Sequence, residues 1–260
     1  MRMTVCVKQV LSTGEVRMDP VTNTMIREGR QSVINPFDLH ALEAAILLKE
    51  RLGGEITALS MGIPTVEALL RDAIARGADR AVLLSDRAFA GADTLATSRT
   101  LAAGMGLIGG FDLILCGKMA VDGDTAQIGP ELAEALDIPH VADVCEILTA
   151  NEYSIQVRQA AGYGFCTLEV ALPALITVTR EANRPRMPSL AGIRRSRTAP
   201  LRLADSGELA LEPCRMGLNG SPTRVVKTFV PVRERVCRPV EGSPSRQAAA
   251  LLDMVKEVGI

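Results

Sequence analysis

The stretch Asp112-Leu-Ile-Leu-Cys-Gly-Lys-Met-Ala-Val-Asp-Gly-Asp-Thr-Ala-Gln-Ile-Gly-Pro-Glu-Leu-Ala-Glu-Ala-Leu136 decides the fold class of this 260-residue chain. Its apolar run at 113–116 predicts a short buried strand. The strand ends at Gly117-Lys118, passes a polar loop, and enters a segment with helical spacing. A strand, a small-residue loop and a helix N-terminus let backbone N–H groups face an anion. Gly117, Gly123 and Gly129 permit close backbone approach to a ligand. Thr125 and Gln127 offer side-chain hydrogen bonds, and Lys118 offers a positive charge. The pattern reads as a nucleotide-phosphate loop. It also reads as a ligand-free turn in which Asp124 caps the helix with Gln127 in a capping-box role. It is neither a Walker A sequence nor GxGxxG. Asp122 and Asp124 would repel a phosphate unless they face ribose hydroxyls or backbone donors.

Upstream, the same strand–helix alternation repeats. Residues 3–7 form a β-branched apolar run, the first expected strand. Residues 15–27 carry a hairpin signature around Asp19-Pro20 and Thr22-Asn23. Asn35-Pro36-Phe37-Asp38 predicts a helix start, with Asn35 as N-cap and Pro36 at the first helical position. Leu39, Leu42, Ala45, Ile46 and Leu48 keep helical spacing up to Gly53-Gly54. A strand follows at 56–59, a helix at 66–75 and a strand at 80–84. A further helix opens in Gly91-Ala-Asp-Thr-Leu-Ala-Thr-Ser98, capped by Asp93 or Thr94, and fades at Gly109-Gly110. Repeated β-α with helical crossovers forces a mostly parallel sheet covered by helices on both faces. Ligands of such sheets lie off the carboxyl ends of the strands. Residues 6–9, 61–64, 91–98 and 117–129 converge there.

Downstream of His140 the periodicity changes. Residues 141–148, 153–157, 165–172 and 174–179 predict strands joined by short turns, an antiparallel addition to the sheet. Residues 180–197 are rich in arginine and proline, with Leu190 and Ile193 isolated between charges. The remainder predicts a long arm ending in a helix over 245–258, packed on something else, such as another subunit. The expected organisation is an α/β nucleotide-binding domain over 1–198 and a C-terminal arm over 199–260.

Composition narrows the function classes. Hydrophobic residues make up 47% and charged residues 23%, a soluble globular balance. Aromatic residues are 3% with no Trp, so the core is aliphatic and no stacking surface for single-stranded nucleic acid is expected. A net charge of −1 gives no global attraction to nucleic acid or membrane. Cys6, Cys116, Cys145, Cys166, Cys214 and Cys237 are scattered, without CxxC or a metal-ligand cluster. No apolar stretch approaches the roughly 20 residues needed to span a bilayer. The start of the chain is interrupted too quickly to be a signal peptide. The expectation is a reduced, cytoplasmic protein without a transmembrane segment or metal.

Five motifs fall together in order and spacing: Val5-Cys-Val-Lys-Gln-Val10, Asn35-Pro-Phe-Asp38, Gly117-Lys-Met-Ala-Val-Asp-Gly-Asp-Thr-Ala-Gln-Ile-Gly-Pro130, Leu172-Pro-Ala-Leu-Ile-Thr177 and Pro185-Arg-Met-Pro-Ser-Leu190. Over nearly the whole chain they resemble the β (small) subunit of electron-transfer flavoproteins. The resemblance implies an α/β core of the adenine nucleotide α-hydrolase-like type, paired with an α subunit that carries an electron-transferring FAD. It implies that a nucleotide touches Cys6, Asn35, Pro36, Phe37, Asp38 and Met61. In the loop it implies Gly117, Lys118, Met119, Asp122, Gly123, Asp124, Thr125, Ala126, Gln127 and Gly129. Read alone, Cys6 and Met61 would be core filling, and Asn35-Pro36 plain helix capping.

Within that family, housekeeping members hold AMP and resemble one another in a loop of the type Asp-Asp-Asp-Cys-Asn-Gln. Members that bifurcate electrons resemble Asp122-Gly-Asp-Thr-Ala-Gln127 and carry a stretch like residues 91–98. They hold a second FAD, with NADH docking beside it. Gly123 and Ala126 remove side-chain bulk, and Thr94 and Thr97, three apart on a helix start, can present hydroxyls to an isoalloxazine edge, so FAD is expected over AMP; Asp93 of the same stretch joins the implied cofactor-binding residues. The resemblance then implies hydride transfer from NADH to the β-bound flavin. One electron passes to ferredoxin or flavodoxin and the other to the α-subunit FAD, serving an acyl-CoA-dehydrogenase-type partner. A membrane-linked, quinone-directed group shares these features. The flavin supplies the redox chemistry, so no catalytic acid or base is expected from the chain. Residues 184–197 correspond to the family's recognition loop, with Leu190 as anchor beside Arg186, Ile193 and Arg194. Two features depart from the family pattern: Met119 stands where Gln or Arg is usual, and Gln159-Ala-Ala-Gly-Tyr163 replaces a charged turn. Two other readings are an AMP-holding non-bifurcating subunit and an ATP-using enzyme of the pyrophosphatase or stress-protein class. The ATP-using enzyme would need a Ser-Gly-Gly-x-Asp-Ser type loop where the chain has residues 7–14. A structural subunit with an empty site would form a colourless complex.

Overall fold

A computed structural model describes residues 1–12, 32–226 and 239–258; the hairpin expected at 15–27 lies outside the described residues. The chain divides into two compact units, Met1–Val225 and Val226–Ile260. The first unit holds β1 (Arg2–Cys6), β2 (Gln9–Leu11), β3 (Ser32–Ile34), α1 (Pro36–Leu52), β4 (Glu55–Met61), α2 (Glu67–Arg76), β5 (Arg80–Leu84) and α3 (Thr94–Met105). It continues with β6 (Leu113–Gly117), α4 (Ile128–Ala135), β7 (His140–Ala150), β8 (Ser154–Ala161), β9 (Gly164–Ala171), β10 (Ala174–Val178), α5 (Leu190–Ser196) and β11 (Leu201–Ala204). The second unit holds α6 (Pro244–Val258).

A nine-stranded sheet runs in the order β11-β5-β4-β1-β6-β10-β7-β8-β9. Every neighbouring pair from β11 to β7 is parallel, and β7-β8-β9 is antiparallel. Helices cover both faces, as strand–helix alternation requires. Val5, Ala58 and Leu115 pack with α1 and α2 in one core, while Cys6, Leu59, Leu84 and Cys116 pack with α3 and α4 in the other. With both faces covered, a central strand reads as one continuous apolar run instead of alternating. Leu113, Ile114 and Leu115 of β6 are all fully buried, each contributing about 1.5–3 kcal/mol of burial.

Three features differ from the sequence expectation. Residues 174–178 do not join the antiparallel addition: β10 returns between β6 and β7 and is parallel to both. The antiparallel part is therefore β7-β8-β9. Leu201-Arg-Leu-Ala204, read as part of the arm, adds a parallel edge strand to β5. Within the arginine-rich segment, Ser189 caps α5 through its hydroxyl, which accepts from the Gly192 amide at 2.9 Å.

The chain runs outward from β1 to β4 and β5, then crosses back through α3 to β6 beside β1. This reversal opens a crevice at the carboxyl ends of β1 and β6, the ligand position in open α/β sheets.

Candidate nucleotide site

The crevice is built on contacts between segments far apart in sequence. Asn35 occupies the N-cap position of α1 but makes no capping bond to the helix. Instead its buried amide donates to Asp38 Oδ1 (2.9 Å) and to the Met119 carbonyl (2.8 Å), and its Oδ1 accepts from the Val121 amide (3.2 Å). A residue legible as a helix cap thus fixes the start of the 118–127 loop. Pro36 and Phe37 open α1, and the Arg180 guanidinium lies 4.4 Å from the centroid of the Phe37 ring.

Asp38 is buried and accepts the Lys8 amide at 2.7 Å. Burial pushes its carboxyl up to about 7, opposed by the bonds from Asn35, Lys8 and Gly117. Gly117 has no room for a side chain, since a Cβ there would lie 2.6 Å from the Phe37 carbonyl carbon. Lys8 Nζ pairs with Asp122 at 2.7 Å, joining the end of β1 to the loop after β6. Lys118 turns instead to Asp143, at 3.1 Å.

The opposite wall is the start of α3. Asp93 Oδ1 accepts the Ala96 amide at 3.0 Å, capping the helix, and its Oδ2 accepts the amide and hydroxyl of Thr223. Burial works against the charge, but bonds from Ala96, Thr223 and Ser221 outweigh it and hold the Asp93 carboxyl below its usual range. Thr94 Oγ1 lies 3.2 Å from Gln127 Oε1 and 3.1 Å from Glu131 Oε1, and Ser98 donates to Glu131 Oε2 at 3.0 Å. Glu131 therefore ties α3 to α4. Thr97 is half-buried on the second turn's approach, one residue before Ser98.

Cys6 and Cys116 end adjacent strands on the α3/α4 side and are buried. The neighbouring Cys6 thiol, with burial, raises the Cys116 thiol well above its usual range. Met61 ends β4 on the same side, half-buried, and no hydrogen bond joins it to the loop among the described residues.

The loop itself is exposed from 121 to 127. Asp124 and Ala126 adopt positive φ, +49° and +55°. That conformation favours glycine and is costly for alanine. The capping alternative is not formed: Gln127 is the N-cap residue of α4, without a side-chain cap bond. The backbone N–H groups of Thr125, Ala126, Gln127 and Ile128 have no acceptor among the described residues. Gly123 faces open space, its nearest obstacle being Thr125 Cγ2 at 4.0 Å. Gly129 is buried in the first turn of α4, against Thr177. The loop thus offers consecutive donors at a helix N-terminus beside a wall bearing hydroxyls. These suit the phosphates and ribose of a nucleotide. Lys8 on Asp122 reduces the repulsion that two loop carboxylates would exert.

The structure brings together residues 6–8, 35–38, 93–98 and 117–129, with Met61 at the rim. The recognition-loop residues Arg186, Leu190, Ile193 and Arg194 lie elsewhere, on and before α5, which packs against α2. Leu190 is 88% exposed and Arg194 is exposed, whereas the Arg186 guanidinium turns inward to Glu43 and Glu50. Lys8, Ser98, Glu131, Ser221 and Thr223 escaped the sequence reading. Lys8, Ser98 and Glu131 lie inside stretches quoted above without a signal of their own, and Ser221 and Thr223 lie in the unpatterned arm. Among the described residues no cluster of His, Cys, Asp and Glu could hold a metal, and no helix is long and apolar enough to cross a membrane. A cleft of about 550 Å³ lined by Met1, Asp112, Asn151 and Leu172 opens at the opposite, amino end of β1 and β6.

Residues 22–208 match the electron transfer flavoprotein domain. The chain is 46% identical over 236 residues, 90% of each chain, to "Electron transfer flavoprotein subunit beta" of Thermoanaerobacterium thermosaccharolyticum. It is 44% identical over 259 residues to "Caffeyl-CoA reductase-Etf complex subunit CarD" of Acetobacterium woodii, covering 99% of this chain and 98% of that one. It is 42% identical over 261 residues to "Protein FixA" of Bradyrhizobium diazoefficiens, covering 96% and 90%.

Proposed function

Since the chain belongs to the electron transfer flavoprotein family as a β subunit, we propose that it binds FAD in the β1/β6 crevice and takes part in electron bifurcation. It pairs with an α subunit, as β subunits of this family do. The observation that carries the FAD reading is the 117–129 loop. Its free N–H groups at 125–128 can take phosphate oxygens, and Gly123 and Ala126 leave space over the crevice. Asn35, Pro36, Phe37, Asp38, Gly117, Lys118 and Met119 shape its base, Cys6 and Met61 its floor, and Asp93, Thr94 and Thr97 the facing wall. Asp122, Asp124, Thr125, Gln127 and Gly129 frame the nucleotide.

When bound, FAD would supply the redox chemistry: acceptance of hydride from NADH and division of its two electrons between ferredoxin or flavodoxin and the α-subunit FAD. The chain's own residues bind and orient. The N–H row would hold the phosphates, Thr94 and Thr97 would offer hydroxyls to the bound group, and the Asn35–Asp38 bonds keep the loop in place. Leu190, with Arg186, Ile193 and Arg194, would form the docking site for an acyl-CoA-dehydrogenase-type acceptor. An apolar anchor ringed by arginines suits a steered, transient contact. The Acetobacterium woodii relative, a subunit of a caffeyl-CoA reductase-Etf complex, supports a place in a redox complex. A cytoplasmic location fits the composition.

The test is the absorbance spectrum and nucleotide extraction of the purified α/β complex. Two FAD per heterodimer are expected; one flavin plus AMP would establish the alternative, a non-bifurcating subunit with structural AMP. For the docking site, Leu190→Ala should slow electron transfer to the dehydrogenase at normal flavin content, and an unchanged rate would remove the anchor role.

A further inference from the structure

We propose that Glu43 and Glu50 of α1 are positioning residues for partner docking. They act through Arg186 to present Met187 and Leu190 as a preformed pair. This rests on the docking-site reading above and extends it to residues on a different element.

The geometry is specific. The Arg186 guanidinium is held on both edges. Nε donates to Glu43 at 2.9 Å, Nη2 to Glu43 Oε1 at 2.8 Å and to Glu50 Oε2 at 3.2 Å, and Nη1 to Glu50 Oε1 at 2.5 Å. The Arg186 amide also donates to Glu43 Oε2 at 3.1 Å, so one carboxylate fixes both backbone and side chain. From α2, Arg76 Nη1 donates to the Arg186 carbonyl at 2.7 Å. Glu43 is buried, with 6% of its side chain exposed, and the Arg186 guanidinium supplies its compensating charge. A buried carboxylate without such partners is strongly unfavourable.

Directly after this clasp the chain turns outward. Met187 is 79% and Leu190 88% exposed, the most exposed aliphatic side chains between β10 and β11. Two further arginines close the far end. Arg195 Nη2 donates to the Ile74 and Ala78 carbonyls at 2.8 and 2.9 Å, and Arg71 Nη1 donates to the Ser196 and Ala199 carbonyls, both at 2.8 Å. An exposed apolar pair flanked by the exposed Arg184 and Arg194, with arginine clasps on both sides, is pre-organised. The ordering cost that a loop otherwise bears on binding is met in the free protein. Planar bidentate guanidinium contacts supply this rigidity where lysine cannot.

Three consequences are measurable on the α/β complex. Glu43→Gln and Glu50→Gln should raise the apparent KM for the dehydrogenase acceptor, about tenfold and about threefold. Reduction of the complex by NADH should stay at the unaltered rate. Trypsin should cleave the 184–197 segment several-fold faster in both variants. Because Glu43→Gln risks misfolding, the exposed Glu50→Gln and the clasp variant Arg186→Lys serve as milder probes. Arg186→Lys should raise KM as Glu43→Gln does, since one ammonium cannot bridge two carboxylates. If cleavage accelerates but KM stays constant in Glu43→Gln and Glu50→Gln while Leu190→Ala raises it, docking is real and the positioning role is refuted. If Leu190→Ala also leaves KM constant, the docking-site reading itself fails.

Discussion

A Cβ on Gly117 would stand 2.6 Å from the Phe37 carbonyl carbon and 2.7 Å from the Asp38 amide nitrogen, both backbone atoms that cannot swing away. Gly117→Ala should therefore push β6 from the start of α1, at about 1–3 kcal/mol, and loosen the loop that follows. A urea midpoint and the nucleotide content of the purified complex would both fall. If neither changes, the close approach is not required. Asp38 gives the pH-dependent counterpart. In the folded chain it takes its proton near pH 7, and unfolded near 3.8. Between those values the folded state holds the additional proton, so this group adds stability as pH falls from 7 toward 4 and withdraws it as pH rises. Asp38→Asn removes the titration. The stability difference between wild type and variant should slope across that window by on the order of a few kcal/mol and level off above it. Parallel stability curves from pH 4 to 8 would contradict the raised carboxyl.

At the scale of elements, what could be read depended on whether the information was local. β5 falls at the residues its apolar run predicts, and α1 begins at Pro36 and ends before Gly53-Gly54, because punctuation and period lie in the stretch itself. The direction of β10 was not legible. A short turn after β9 suggests a hairpin, and nothing in Ala174-Leu-Ile-Thr-Val178 says that the strand slots between β6 and β7. β11 is four residues among prolines, too short for periodicity to register. The site shows the same division. The glycines and polar residues of 117–129 announce a loop before a helix. The partners that shape it, Asn35 on Met119 and Glu131 on Thr94, join positions 84 and 37 residues apart. Asp93 was legible as a cap, while its second role, accepting from Thr223 across 130 residues, was not. Asp93→Ala should accordingly cost more than the ~1 kcal/mol of an isolated cap. About 2 kcal/mol is expected, read as a lowered thermal midpoint. Thr223→Val should reproduce only part of the loss; equal losses would show that the cap itself contributes little.

For the whole molecule, exposed apolar surface shows where the subunit is incomplete. Tyr163 and Phe165 project from β8-β9, with β9 paired only with β8 among the described residues, in a chain with few aromatics. Such edges are ordinarily covered or blunted. In the second unit, Leu251, Leu252 and Val255 of α6 are exposed. A helix of this kind gains its stability from burying an apolar face against a partner, not from propensity. We propose that the arm packs on the α subunit, which predicts the outcome of truncation. Where the cut falls matters. Ending the chain at 198 would delete β11 and the Ser221 and Thr223 contacts that hold Asp93. Ending it at 225 spares both. A chain of residues 1–225 should keep a thermal midpoint within a few degrees of the full β subunit, yet lose most of its co-purification with the α subunit. The 1–198 chain should fail on both counts. Full assembly by the 1–225 chain would show that α6 is dispensable and that the hairpin face suffices for pairing.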